Sequence, residues 1–87
     1  MTDIANAIQL AALKLAIEAR HWTWRCDRND PKTMAINAKN QPFTFRIYAG
    51  PYVKIAHNGS ELDAAREAVD MMCTVLEKER VRKEMGQ

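Results

Sequence analysis

Apolar residues in the first quarter of the chain recur every three or four positions, which is the spacing of one face of an α-helix. A first row contains Ile4, Ile8, Ala11, Leu15, Ala19 and Trp22, and a second row contains Leu10, Leu13, Ile17 and Trp24. The rows lie side by side, so the apolar sector is unusually broad. We predict a helix over about 3–24. At roughly 30 Å it overhangs strands of about 17 to 20 Å, and its end can pack on a second copy.

The period changes to two after a turn cluster that ends at Pro31. Apolar and polar residues then alternate, which predicts strands at about 33–39, 43–49 and 52–57 joined by short turns. This alternation places His57 on the inward side of the third strand. The residues that it assigns to the opposite, open face of the sheet are Asn37, Lys39, Thr44, Arg46, Tyr48, Tyr52 and Lys54.

A second long helix is predicted over about 61–83. Ser60 is a suitable N-cap, with Asp63 at the reciprocal position of a capping box. Apolar residues recur at helical spacing from Leu62 to Leu76, acidic residues are frequent in the first half, and basic residues follow at the end.

The predicted order of elements is α-β-β-β-α. A three-stranded antiparallel meander has one apolar face, so both amphipathic helices most simply pack on that face. With 87 residues the chain forms one α+β domain over 1–87. The order resembles that of the double-stranded-RNA-binding domain, and residues 59–68 look like the start of that family's second helix. The resemblance implies the fold, whereas Glu61 and Asp63 stand where the family has a lysine cluster that contacts phosphates.

Composition narrows the class of protein further. The chain has only two cysteines, Cys26 and Cys73, which we expect to be free thiols, Cys73 as a small buried hydrophobe. We find neither a signal peptide nor an uninterrupted apolar run of about 18 residues, so we expect a cytoplasmic protein without a membrane partner. The formal net charge is +2, and the basic excess lies within residues 20–58.

The most distinctive segment follows the first predicted helix, where both tryptophans of the chain lie among arginines. Tryptophan and arginine are enriched at binding hot spots because each buries a large area and keeps a polar contact. The candidate partner-binding residues are Arg20, His21, Trp22, Trp24, Arg25 and Arg28. The alternative is structural: Trp22 completes the core at the helix end, and the arginines are solvated.

The open sheet face gives a second candidate site. Two tyrosines among cations are typical of a platform for single-stranded nucleic acid, in which rings stack on bases and cations contact phosphates. The residues concerned are Lys39, Arg46, Tyr48, Tyr52 and Lys54. The alternative is an ordinary solvated sheet face. A third hypothesis is a sponge in which Arg20, Arg25 and the two tryptophans hold a small anionic ligand between subunits.

Catalysis is not predicted, because the sequence shows no nucleophile elbow, no metal-ligand spacing and no glycine-rich phosphate loop. We therefore expect no enzyme, no metal and no cofactor. The leading hypothesis is a non-catalytic protein-binding module that occludes a surface on a larger protein partner or self-assembles through its first helix. A more specific form of this hypothesis is a small phage-encoded inhibitor of a host system, that is, an anti-defence protein. Nucleic-acid binding is the second choice.

Overall fold

The computed structural model describes residues 2–86. Its elements are α1 (Thr2–Ala19), β1 (Thr23–Arg28), α2 (Pro31–Asn37), β2 (Phe43–Ala49), β3 (Tyr52–Asn58) and α3 (Glu61–Met85). The three strands form one antiparallel sheet in the order β1-β2-β3. The α+β class and the α-β-β-β-α order of the long elements are confirmed, with the short helix α2 as an addition.

The first helix ends at Ala19, so its predicted extension to residue 24 is wrong. The reason is a C-terminal cap in which His21 adopts a left-handed conformation, with φ of 62°. The amide of His21 donates to the carbonyl of Glu18, and the amide of Trp22 donates to that of Ile17. This pair of bonds is a Schellman motif, which usually has glycine at the left-handed position. Because histidine stands there, the sequence carries no visible stop signal.

The first strand occupies 23–28, and the strand predicted over 33–39 is wrong, because most of that range belongs to α2. Asp30 is the N-cap of α2: its side chain accepts a hydrogen bond from the amide of Thr33, and Pro31 begins the helix. An N-cap aspartate followed by proline is a helix start signal. The alternation of apolar residues over 33–39 is therefore coincidental.

The strands β2 and β3 are joined by a two-residue hairpin at Gly50-Pro51, which fixes the register of β3. Gly50 has φ of +58°, which the first central position of a type II′ turn requires. Ala49 then stands opposite Tyr52. Residues directly opposite each other in an antiparallel pair point to the same face of the sheet, so Tyr52 shares the inward face of Ala49. The predicted phase of β3 is inverted as a result, and His57 lies on the open face.

The core forms where α1 and α3 pack on one face of the sheet, as predicted. Phe45 and Ile47 of β2 are fully buried and face Ile17 of α1 and Met72 of α3. Alanines at 64, 65 and 68 of α3 are also fully buried, and their small side chains let the helix backbone approach the sheet closely. Ser60 caps α3 by accepting a hydrogen bond from the amide of Asp63 at 3.1 Å, as the capping pattern predicts.

Candidate functional site

The segment from Arg20 to Arg28 does not form one surface, because a β-strand sends alternate side chains to opposite faces. Trp24 faces the helices, where its ring stacks on Phe45 with centroids 5.6 Å apart and an interplanar angle of 11°. Its Nε1–H donates to Oε2 of Glu18 at 2.9 Å, and Nζ of Lys14 lies 4.3 Å from the ring centroid. These contacts make Trp24 a structural residue at the margin of the core.

The remaining residues of this segment point in several directions. Trp22 is half-buried against the core, with the guanidinium of Arg20 5.6 Å from its ring centroid. His21 is exposed at the helix cap. Arg28 faces the helix side, with its guanidinium 5.7 Å from the ring of Phe43. Of the side chains that the anionic-ligand hypothesis requires to act together, Arg20 and Trp22 lie side by side. Trp24 and Arg25 point to opposite faces of the sheet.

Arg25 lies on the open face, where Asp27 joins it to a neighbouring strand. The Nε–H of Arg25 donates to Oδ1 of Asp27 at 3.2 Å, and Nη1 of Arg46 donates to Oδ2 of the same carboxylate at 2.6 Å. All three side chains are partly solvated, so the pairs contribute little to stability. They do neutralise part of the positive charge of this face.

The predicted nucleic-acid platform is not assembled. Arg46 and Tyr48 lie on the open face, but Tyr52 and Lys54 lie on the helix side because of the hairpin register. Lys39 is in the turn after α2. The open face instead presents side chains from all three strands: Thr23, Arg25, Asp27, Thr44, Arg46, Tyr48, Val53, Ile55 and His57. Val53 and Ile55 are 46% and 44% exposed there, which the sequence alternation did not predict.

A polar network centred on the buried Thr44 closes one end of the open face. Thr44 is only 2% exposed, and its Oγ1 accepts a hydrogen bond from Nδ2 of Asn29 at 2.8 Å and contacts Nδ1 of His57 at 2.9 Å. Asn29 also donates to the carbonyl of Gln41. This network ties the start of the β1–β2 connection to its end, which gives His57 a structural partner.

An unpartnered apolar surface lies on α1. We define the outer face of α1 as Ile4, Ile8, Ala11, Leu15 and Ala19, all of which are exposed. Ile4, Ile8 and Leu15 are 62%, 65% and 67% exposed. The neighbouring alanines at 5, 7 and 12 are exposed as well, which extends the apolar surface on both sides. The other row, Leu10, Leu13 and Ile17, packs into the core.

The charged residues of α1 lie away from the centre of this face or are held towards the rest of the domain. Nζ of Lys14 lies 2.9 Å from Oε2 of Glu61 in α3, and Glu18 accepts the hydrogen bond of the Trp24 indole. Asp3 is adjacent in sequence to Ile4 and therefore about 100° around the helix from it. A solvated helix normally carries its charged residues on the exposed side, so the outer face of α1 has the character of an interface.

Two cysteines differ in their surroundings, and the expectation of a buried Cys73 is wrong. Cys73 is exposed on α3, whereas Cys26 is half-buried on the helix side of β1. Burial, followed by the Glu61 carboxylate, raises the pKa of the Cys26 thiol to about 11. Both cysteines are free, as predicted.

Two further features concern membranes and metal ions. Within residues 2–86 no helix is both long and apolar enough to cross a bilayer. The described residues also contain no group of three or more histidine, cysteine or carboxylate side chains that could hold a metal ion.

Comparisons of the chain with protein-family models, with curated proteins and with solved structures give no match.

Proposed function

We propose that this chain is a non-catalytic protein-binding module whose binding surface is the outer face of α1. The supporting observation is that Ile4, Ile8 and Leu15 are each about two thirds exposed on a single helix face with no charge at its centre. Burying such side chains removes apolar area from water, which is the main driving force of association. The module acts by occluding a surface of a larger partner or by self-assembly.

The proposed role within this class is inhibition, in which the module covers a surface that the partner needs for its own activity. The context that we propose is a small phage-encoded inhibitor of a host defence system, and its support is only the small size and single-domain character of the chain. The outer face of α1 is already exposed and lies outside the core, so a partner engages it without disturbing the core.

Nucleic-acid binding has less support from the geometry. The open face keeps Arg25, Arg46 and Tyr48, but the two arginines share Asp27, and the second tyrosine lies on the opposite side of the sheet. A single-strand platform needs several rings and unneutralised cations on one surface.

The test is affinity capture of tagged protein from lysate, with and without nuclease. Three chains are compared: the unaltered protein, Ile8→Glu on the outer face of α1, and Ile36→Glu on α2 as a control. Ile36 is 67% exposed and Ile8 is 65% exposed, so the two substitutions place the same charge at sites of similar exposure.

We expect one stoichiometric protein, either a larger partner or an untagged copy of the same chain, that survives nuclease, is retained by the Ile36→Glu variant and is lost with Ile8→Glu. Retention that vanishes with nuclease would support the nucleic-acid alternative. A partner that both variants retain would show that α1 is not the binding surface.

A further inference from the structure

We propose that a second copy of this chain covers the outer face of α1, with the two α1 helices antiparallel. This proposal rests on the proposed function, because it names the occupant of the same surface. It adds the identity of that occupant, the direction of pairing and the residues in contact.

The pattern of the outer face is that of a helix-pairing seam. Ile4, Ile8, Ala11 and Leu15 follow one another at intervals of four, three and four residues. These are the intervals between a and d positions of a heptad, where each side chain packs into a hole on a facing helix. The face is available along α1, an 18-residue helix, so a helix of equal length fits it from end to end.

The sequence also defines a self-complementary register. In an antiparallel pair with its two-fold axis between residues 9 and 10, Ile4 faces Leu15 of the second copy and Ile8 faces Ala11. Each large side chain thereby meets a partner across the axis, and the small Ala11 near the centre lets the two backbones approach closely. An interface of this kind uses the same patch on both copies, which is the requirement of a symmetric dimer.

Charge favours the antiparallel direction over the parallel one. Glu18 follows Leu15 by three residues and so stands at the end of the seam, where its Oε2 accepts the hydrogen bond of the Trp24 indole. Antiparallel pairing brings its carboxylate to the amino end of the facing helix, where the macrodipole is positive and the acidic Asp3 lies about 100° around the helix from Ile4. Parallel pairing would instead place the two Glu18 carboxylates side by side.

The size of the face sets the expected strength. An 18-residue helix is about 27 Å long and about 10 Å wide, so the contact lies below the roughly 1,200 Å² of total area that standard interfaces bury. We therefore expect a dissociation constant in the micromolar range, on the order of 1 to 100 μM.

The first experiment is sedimentation equilibrium from low micromolar to near-millimolar concentration. The unaltered chain should reach twice its mass of 9.9 kDa. Because Ile8→Glu places a charge in the seam, it should weaken dimerisation about 100-fold or more, whereas Ile36→Glu should leave it unchanged. Circular dichroism checks that each variant is folded.

The second experiment fixes the direction by disulfide trapping in a Cys73→Ser background. Oxidation of a mixture of Ile4→Cys and Leu15→Cys chains should give a disulfide between the two different chains, because residues 4 and 15 face each other in the antiparallel register. Cys26 stays protonated near neutral pH and reacts slowly. A disulfide between two identical Ile4→Cys chains would show parallel pairing and refute the register, because antiparallel pairing holds these two residues about 16 Å apart along the helix axis.

A monomeric chain at near-millimolar concentration would overturn this proposal. The proposed function would survive that result if Ile8→Glu still abolished capture of a different protein. Conversely, a dimer with no captured partner would support the second copy as the occupant and leave no role for occlusion of a larger protein.

Discussion

Replacing Trp24 with alanine should destabilise the fold rather than remove a binding contact. The indole stacks on Phe45 and is capped by Lys14, and its N–H donates to Glu18. Substitutions of buried Trp by alanine cost 3 to 5 kcal/mol, roughly, and an aromatic pair adds about 0.5 to 1.5 kcal/mol beyond its buried area. Trp24 is only half-buried, so we expect the lower part of that range, about 3 kcal/mol.

This loss is large for a small domain, whose total stability is about 0.05 to 0.15 kcal/mol per residue. It corresponds to a fall in melting temperature of roughly 12 to 24 °C at this size. Urea denaturation followed by far-ultraviolet circular dichroism measures it without relying on tryptophan fluorescence.

Two control variants separate the contributions. Trp24→Phe keeps a ring against Phe45 and should lose less than about 1.5 kcal/mol. Arg25→Ala alters the adjacent exposed residue and should change stability by less than about 0.5 kcal/mol. A Trp24→Ala variant within about 0.5 kcal/mol of the unaltered chain would refute the structural role of this ring and return it to the list of binding candidates.

Three further outcomes are expected. Thr44→Val keeps the shape of the side chain but removes the two hydrogen bonds of its Oγ1 to the partly buried Asn29 and His57. Urea denaturation should therefore show a loss of about 1 to 3 kcal/mol in the free energy of unfolding, and no loss would mean that the network contributes nothing. His21→Gly removes the strain of a left-handed histidine at the end of α1 and should stabilise the fold by about 1 kcal/mol. The variant should therefore have a higher melting temperature, and a lower one would contradict the cap. Brief treatment with iodoacetamide near neutral pH should modify Cys73 well before Cys26. The reason is that a thiol with a pKa of about 11 carries roughly 100-fold less thiolate than an ordinary one. Equal modification of the two cysteines, measured by mass spectrometry of peptides, would contradict this.

The fold class was predictable because long-range periodicity survives errors in individual elements. The broad apolar sector of α1 and the capped start of α3 each specify an amphipathic helix, and alternating residues specify β2 and β3. The end of α1 was not predictable in the same way. A Schellman motif normally shows glycine, and here His21 occupies its left-handed position.

The site was only partly predictable, because it depends on which face each residue occupies. A signal for the phase of β3 was present: a two-residue loop at Gly50-Pro51 places Tyr52 opposite Ala49 and hence on the same face. The start of α2 was likewise marked by Asp30. Only one of the two apolar rows of α1 can pack on the sheet. The sequence therefore implies that the other row, the outer face of α1, is exposed.

The most direct test of the central claim, that the outer face of α1 is the interface of this module, is a concentration series of amide nuclear magnetic resonance spectra. Raising the concentration from low micromolar to near-millimolar should shift the signals of Ile4, Ile8, Ala11 and Leu15. The signals of Val53 and Ile55, which are exposed apolar residues on the open sheet face, should stay in place. Shifts confined to β3 would contradict the claim, and no shifts at all would refute self-assembly through this face.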